Sequence, residues 1–421
     1  MRHNRTSLGL FLIHFYSGCV LTALAGFLCL ALGAGLPTRS FVHESGSTKA
    51  GIDLLEMQDF EPLRGKRIGL ITNHTGVDSE GRRTIDVLAH AKGVELVALF
   101  SPEHGILGRA DAPVTSAKDT ATGLPIYSLY GETRRPTDAM LKGIDVLVFD
   151  MQDAGVRFYT YIATMAYCME EAAKRHLRFV VLDRPDPLGG EVIEGPMLDH
   201  DQLSFVGYFP MPVRYGMTLG ELARMFNAEN KIGADLHVIT MKNWRRSEAY
   251  DQTGLAWIAP SPNLRTMSGA FLYPGIEVLQ AGGVSVGRGT ETPFEIFGAP
   301  WIHAGELADE LNRRHIPGVQ FVPAQFTPYE GPYEGQACGG VKVEITSRLS
   351  LCSMRMGLEI ADALHRMYPG GFHLEKTIEL LGSQSTIERL ERGEVPARIV
   401  TSWSGELRRF RRIRQKYLLY H

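Results

Sequence analysis

In the stretch Asp145-Val146-Leu147-Val148-Phe149-Asp150-Met151-Gln152-Asp153-Ala154-Gly155-Val156-Arg157-Phe158-Tyr159-Thr160-Tyr161, the apolar run 146–149 is continuous rather than alternating. A strand of that kind is covered on both faces, as in a parallel sheet. It runs into a polar loop, and Tyr159 to Lys174 then carries apolar residues at Ile162, Met165, Ala166 and Met169, the spacing of a helix face. The same unit recurs on either side. Arg67–Thr72, Glu95–Phe100 and Phe179–Asp183 read as further buried strands, and Thr84–Ala91 as a helix between two of them. Strands alternating with helices predict an α/β domain with a parallel sheet over residues 51–200.

Beyond residue 200 the pattern loosens. Thr218–Asn227 reads as a helix capped by Thr218 with Glu221 three residues on. Leu236–Met241 and the alternating Gly339–Thr346 read as strands, and Ala304–Arg314 and Met354–Met367 as amphipathic helices. This mixture predicts a smaller α+β domain over 201–421, following the parallel-sheet domain.

The chain has 421 residues, with 44 Lys+Arg against 47 Asp+Glu and 44% hydrophobic residues, so neither wholesale disorder nor a dedicated nucleic-acid binder fits. Arg2, His3 and Arg5 precede Leu8–Leu36, which contains no Asp, Glu, Lys or Arg. Residues 1–36 therefore read as a signal peptide or N-terminal membrane anchor, residues 37–50 as a linker, and the body as exported to the periplasm or cell exterior. Cys168, Cys338 and Cys352 have neither zinc spacing nor a dense disulfide framework, and read as thiols.

The chemistry is positional. Polar loops follow four expected strands: Thr72–Gly76, Ser101–Gly105, Asp150–Arg157 and Asp183–Pro187. Ligands of open α/β sheets bind outside the carboxyl ends of the strands. That rule gathers Asn73, Glu103, Asp153, Arg157 and Asp183 around one crevice. Glu103, held between Pro102 and Gly105 on a tight loop, is the expected general acid. Of Tyr159 and Tyr161, one is expected in the core and the other on the crevice. Arg157, Arg184 and Arg288 suit an anionic ligand, because a guanidinium fork matches a carboxylate. Asp150 and Asp183 equally suit capping of the turns that follow them. His74 and His104 stand near Asp150 and Asp153, but without HxH or HExxH spacing they read as hydrogen-bonding rather than metal-binding residues. Three more segments are distinctive: Tyr130–Pro136 with Glu132, Pro260–Arg265 with Asn263, and Val286–Glu295 with Arg288 and Glu291. The basic stretch Arg408–Lys416 reads as a solvated helix with Phe410 and Ile413 turned inward. No GxGxxG opens a βαβ unit, and there is no GxxxxGK[ST] or GxSxG, so no nucleotide cofactor or serine nucleophile is indicated.

Five segments together resemble one family. They are Gly-Lys-Arg-Ile-Gly-Leu-Ile-Thr-Asn-His-Thr-Gly (65–76), Leu-Phe-Ser-Pro-Glu-His-Gly (99–105), Ser-Leu-Tyr-Gly-Glu-Thr-Arg-Arg-Pro (128–136), Val-Phe-Asp-Met-Gln-Asp-Ala-Gly-Val-Arg-Phe-Tyr-Thr-Tyr (148–161) and Ser-Val-Gly-Arg-Gly-Thr-Glu-Thr-Pro-Phe-Glu (285–295). In this order they resemble the exo-β-N-acetylmuramidases, the NamZ-type glycoside hydrolases of peptidoglycan. Met151 and Ala154 depart from the family's Ile and Val, and both remain apolar. The resemblance implies a Rossmann-like domain joined to a smaller α+β domain, with the active site between them. It implies removal of terminal N-acetylmuramic acid from the non-reducing end of peptidoglycan fragments, without metal or other cofactor. It makes Glu103 the match for the catalytic glutamate, and Asn73, Arg157, Tyr159, Tyr161 and Arg288 contacts to the sugar or its lactyl carboxylate.

A glycosidase needs a proton donor and a second group. For the second role Asp153, Glu132, Glu291, a tyrosine such as Tyr159, and the substrate's own acetamido group stay open. His74, His104, Glu132, Asn263 and Glu291 complete the expected substrate-contact set. Two other classes of function also stay open: a wall-binding protein without turnover, and a metal-dependent envelope hydrolase using His74, His104 and Asp150.

Overall fold

The computed structural model describes residues 47–110 and 114–421, so the apolar segment 1–36 and most of the 37–50 linker lie outside the described residues. The central feature is a seven-stranded sheet. Its strands are β1 (Lys66–Thr72), β2 (Val94–Ser101), β3 (Ala117–Lys118), β4 (Pro125–Ser128), β5 (Val146–Asp150), β6 (Arg178–Leu182) and, after an intervening β7 (Glu194–Met197) and β8 (Pro212–Arg214), β9 (Asp235–Ile239). The order across the sheet is β3-β4-β2-β1-β5-β6-β9, and only the short β3 runs antiparallel to its neighbour. Counted in chain order, the parallel strands therefore lie 3-2-1-4-5-6, the doubly wound Rossmann arrangement. The order reverses between β1 and β5, the switch point outside whose strand ends open α/β sheets bind their ligands.

The continuous apolar strands behave as their sequences require. Leu147, Val148 and Phe149 are fully buried, as are Ile68, Leu70 and Ile71 beside them. The helix Tyr161–Lys174 buries nearly its whole length, because it lies between the sheet and the rest of the body. The helix Leu219–Glu229 has the expected capping box, in which the Thr218 hydroxyl accepts from the Glu221 amide and the Glu221 carboxylate accepts from the Thr218 amide. This helix feeds β9, so the sheet takes its last strand from beyond residue 200. Residues 47–50 dock on the body too: Lys49 pairs with Lys242, and Ala50 is buried at the start of the helix Gly51–Met57.

The second part is a three-stranded antiparallel sheet of order β10-β12-β11, made of β10 (Ile296–Ala299), β11 (Val319–Phe326) and β12 (Cys338–Ile345). Pro323 is tolerated because β11 is an edge strand. Helices Met267–Ile276 and Ser353–Met367 cross in this part with backbones almost touching. A Cβ on Gly275 would lie 2.0 Å from the Ser353 carbonyl oxygen, and one on Gly357 would lie 2.5 Å from that of Gly275. The C-terminal helix Ser404–Arg414 buries Phe410 as expected, but it also buries Arg414, whose guanidinium donates to the carbonyls of Gly190 and Gly216. Cys168, Cys338 and Cys352 are free thiols.

Candidate active site

The loop after β2 presents Glu103. His104 and Gly105 both take left-handed φ, at 68° and 71°, which turns the chain sharply just after the carboxylate. The loop is closed by the Arg109 amide donating to the His104 carbonyl and by the His104 ring meeting the Ala110 carbonyl at 2.7 Å. Gly108 leaves room for a neighbour, since a Cβ there would lie 1.8 Å from His74 Cε1. His74 therefore wedges the loop after β1 against the loop after β2. Its Nε2 lies 2.8 Å from the Ala259 carbonyl, and burial lowers its pKa, so the ring is neutral at pH 7. Both histidines serve loop geometry in this way, and His104 also lines the cavity beside Glu103.

Glu103 is half-buried, and its Oε2 accepts a 2.6 Å hydrogen bond from the Thr160 hydroxyl at the start of the helix after β5. It lines a cavity of about 440 Å³. The walls are aromatic: Phe158, Tyr159, Tyr273 and Phe294. Tyr273 packs edge-on against Phe158, Tyr159 and Phe294 at centroid distances of 5.3, 6.3 and 4.7 Å. Burial pushes the phenols of Tyr159, Tyr161 and Tyr273 up, so they are protonated at neutral pH. Arg288 lines the cavity over the Phe294 ring, with its guanidinium held by Glu277 at 2.6 Å and Gln280 at 2.9 Å. Glu277, Gln280, Ser261 and Glu330 complete the polar lining that matters chemically. The arrangement offers a carboxyl at the rim, neutral phenols on the wall and a cation in the lining.

Several expected residues are elsewhere. Arg157, expected to meet the ligand carboxylate, is fully buried and donates to the backbone carbonyls of Pro196, Met211, Leu380 and Leu381. Burial lowers its pKa to about 9, which still leaves it charged at pH 7. It clamps two segments together and does not line the cavity. Asp153, expected as a catalytic group, lies behind the aromatic wall. It accepts from the Tyr215 hydroxyl and the Gly155 amide, and burial raises its pKa to about 6. Asp183 accepts from Thr218, Gly220, Tyr420 and its neighbouring amide, and so anchors a helix start and the C-terminus. Asp150 is locked in a buried pair with Arg184 and also accepts from Thr84, so neither Arg184 nor Asp150 reaches a ligand.

Asn73 and Tyr161 act one layer back. Asn73 Nδ2 donates to the Tyr161 hydroxyl at 2.8 Å, and that hydroxyl donates to the Pro260 carbonyl at 2.7 Å. Tyr161 in turn packs edge-on against Tyr159 at 4.7 Å, so of the two tyrosines it is Tyr159 that lines the cavity. Asn263 is fully buried in the loop that contributes Ser261 to the lining. Glu291 is exposed outside the lining, and Glu132 borders a separate hollow with Val114 and Thr133. Among the described residues no group of three His, Cys, Asp or Glu side chains is placed to hold a metal ion.

Sequence reasoning missed Thr160, Ser261, Tyr273, Glu277, Gln280 and Glu330. Thr160 sits between Tyr159 and Tyr161, whose larger side chains drew the reading. Tyr273 and Glu277 are four residues apart, a helical spacing hidden by Pro274 and Gly275.

Comparisons with known proteins bear on the same residues. The family model described as exo-β-N-acetylmuramidase NamZ, N-terminal, matches residues 68–268, and its C-terminal counterpart matches 271–420. The cavity lies where those two segments meet, with Glu103, Tyr159 and Ser261 from the first and Tyr273, Glu277 and Arg288 from the second. The peptidoglycan β-N-acetylmuramidase NamZ of Bacillus subtilis strain 168 is 42% identical over 406 residues, covering 95% of this chain and 98% of that protein. Two crystal structures of DUF1343 family proteins from Bacteroides fragilis NCTC 9343 are similar. One has a TM-score of 0.82 at 42% identity, the other 0.74 at 32%, and each comparison covers 89% of this chain and 99% of the other.

Proposed function

The chain belongs to the exo-β-N-acetylmuramidase NamZ family, and from that premise we infer that it is a glycoside hydrolase that releases terminal N-acetylmuramic acid from the non-reducing end of peptidoglycan fragments. The observation that carries the reading is Glu103 at the rim of the aromatic-walled cavity, its carboxylate oriented by Thr160. A general acid must stand within hydrogen-bond reach of the interglycosidic oxygen, and Glu103 is the carboxyl offered to a ligand from the strand-end loops. Aromatic walls suit the apolar face of a pyranose ring, and Arg288 supplies charge complementarity for the lactyl carboxylate of muramic acid. Tyr159, a neutral phenol on the wall, is the group we assign to the ring or its acetamide. We place the activity outside the cytoplasm, because residues 1–36 have the pattern of an export signal or anchor; cell fractionation tests that assignment.

The test of function uses MurNAc-β-1,4-GlcNAc and the reverse-order disaccharide GlcNAc-β-1,4-MurNAc, with free sugars followed by mass spectrometry. Cleavage of the first alone, with or without chelator, is expected. Cleavage of the second alone, or loss of activity on chelation, overturns the reading.

A further inference from the structure

Glu103 borders two hollows. Besides the aromatic-walled cavity, a groove of about 500 Å³ begins at the same carboxylate, and Glu103, Thr160 and Val206 line both. A glycosidase's proton donor acts on the oxygen between two sugars, so the two sugars must lie on opposite sides of it. The cavity is walled by buried aromatic rings and has Arg288 for a carboxylate. The groove is built differently. Tyr130 and Phe205 stack at 6.2 Å and 27°, and the Arg134 guanidinium lies over both rings, 4.2 Å from the Phe205 centroid and 5.9 Å from that of Tyr130. Leu203, 47% exposed, supplies an apolar patch on the same lining, while Asp201 and Glu379 supply exposed carboxylates. A guanidinium, carboxylate acceptors and a small apolar patch match the hydroxyls, amide and C–H face of an uncharged N-acetylhexosamine.

We propose that this groove is the aglycone subsite, which holds the N-acetylhexosamine on the reducing side of the scissile bond, with Arg134 and Glu379 as its specificity-determining residues. The proposal rests on the glycosidase reading and adds its direction: glycone toward Arg288, aglycone toward Arg134. Binding energy from a sugar that takes no part in bond-breaking is used to orient the substrate, so the groove discriminates among leaving groups.

The experiment compares the full chain with Arg134→Ala and Glu379→Ala, both at exposed positions. It measures kcat/KM for MurNAc-β-1,4-GlcNAc and for an aryl β-glycoside of MurNAc, whose leaving group carries no sugar hydroxyls. It also measures inhibition by free N-acetylglucosamine. The ratio of disaccharide to aryl-glycoside kcat/KM is expected to fall about tenfold in each variant, the size of one lost charged hydrogen bond. The inhibition constant of N-acetylglucosamine is expected to rise by a similar factor. Equal losses on both substrates, or an unmoved inhibition constant, overturn the assignment while the enzyme remains a glycosidase. A wild-type chain that cleaves neither substrate overturns the glycosidase reading and the groove with it.

Discussion

Glu103 and Asp183 both follow parallel strands of one sheet at its carboxyl edge, yet their fates are opposite. Glu103 receives one side-chain hydrogen bond, from Thr160, and lines the cavity. Asp183 receives four, from Arg184, Thr218, Gly220 and Tyr420, and is fully buried. Strand-end position is shared; what differs is whether the surrounding protein has already used the oxygens. A carboxylate whose lone pairs are filled by the fold serves stability, and one left partly open at a cavity can serve chemistry. Arg157 and Arg288 divide by place rather than by pairing. The first is spent on four backbone carbonyls away from the cavity, whereas the second, paired with Glu277 and Gln280, is held over the Phe294 ring in the cavity lining.

Substituting the two carboxylates breaks the comparison most sharply. Glu103→Gln keeps the shape and the acceptor for Thr160 but removes the acid. Turnover should fall by about 10³-fold or more while the melting temperature stays within a degree or two. A folded Glu103→Gln protein with wild-type kcat would end the assignment.

Arg157 tests the arginine pair. Arg157→Met leaves four backbone carbonyls, three of them on buried residues, without their donor, and unfolding free energy should fall by about 3–5 kcal/mol in urea titration. If Arg157 were a ligand contact instead, KM would rise and stability would hold. Arg288→Ala should instead raise KM for a muramic-acid substrate roughly tenfold or more, with a smaller loss of stability from unpairing the buried Glu277.

Asp183→Ala should cost about 2–3 kcal/mol, because it leaves the Thr218, Gly220 and Tyr420 donors without their acceptor while removing the acid's own desolvation penalty. The loss should fall on the helix Leu219–Glu229 and the C-terminal residues, which hydrogen exchange would report as lost protection.

How much of this was legible follows from the same distinction. The strands β1, β2, β5 and β6 were readable because burial on both faces forces largely continuous apolar runs, whereas β9, at the sheet edge, shows only an alternation of exposed and partly buried residues. The pieces β3, β4, β7 and β8 are two to four residues long and leave no such run. The helix Met267–Ile276 was hidden because Gly269, Pro274 and Gly275 break local propensity, and the close crossing at Gly357 overrides it. Glu103 was legible because Pro102 and Gly105 mark a tight turn. Asn73, Asp153, Arg157 and Asp183 were gathered at the crevice but do not line the cavity, because the strand-end rule gives a residue's position along the sheet but not the direction of its side chain. That direction is set by partners far along the chain, such as Tyr420 for Asp183 and Leu380 for Arg157.

The smallest expected effect concerns the acids behind the wall. Burial raises Asp153 to about 6, and Asp183 and Asp186 to about 7, with Arg214 and Arg246 pulling Asp186 partly back. In the unfolded chain these groups ionise near pH 4. Between about pH 4.5 and 7 the native state therefore binds more protons than the unfolded state, and stability falls as pH rises. His74 acts the other way. Its native pKa lies below its ordinary value, so the unfolded state binds more protons as pH drops below about 6.5, and stability rises with pH there. The total slope is thus a difference of opposed contributions, and the informative quantity is the change on substitution. Asp186→Asn keeps the oxygen that accepts from the Leu188 amide and removes the titration. Relative to wild type, the variant should gain about 1–2 kcal/mol between pH 5 and pH 7.5 in urea titrations. An identical pH slope in the two proteins would mean that Asp186 is ionised throughout, so that Arg214 and Arg246 outweigh its burial.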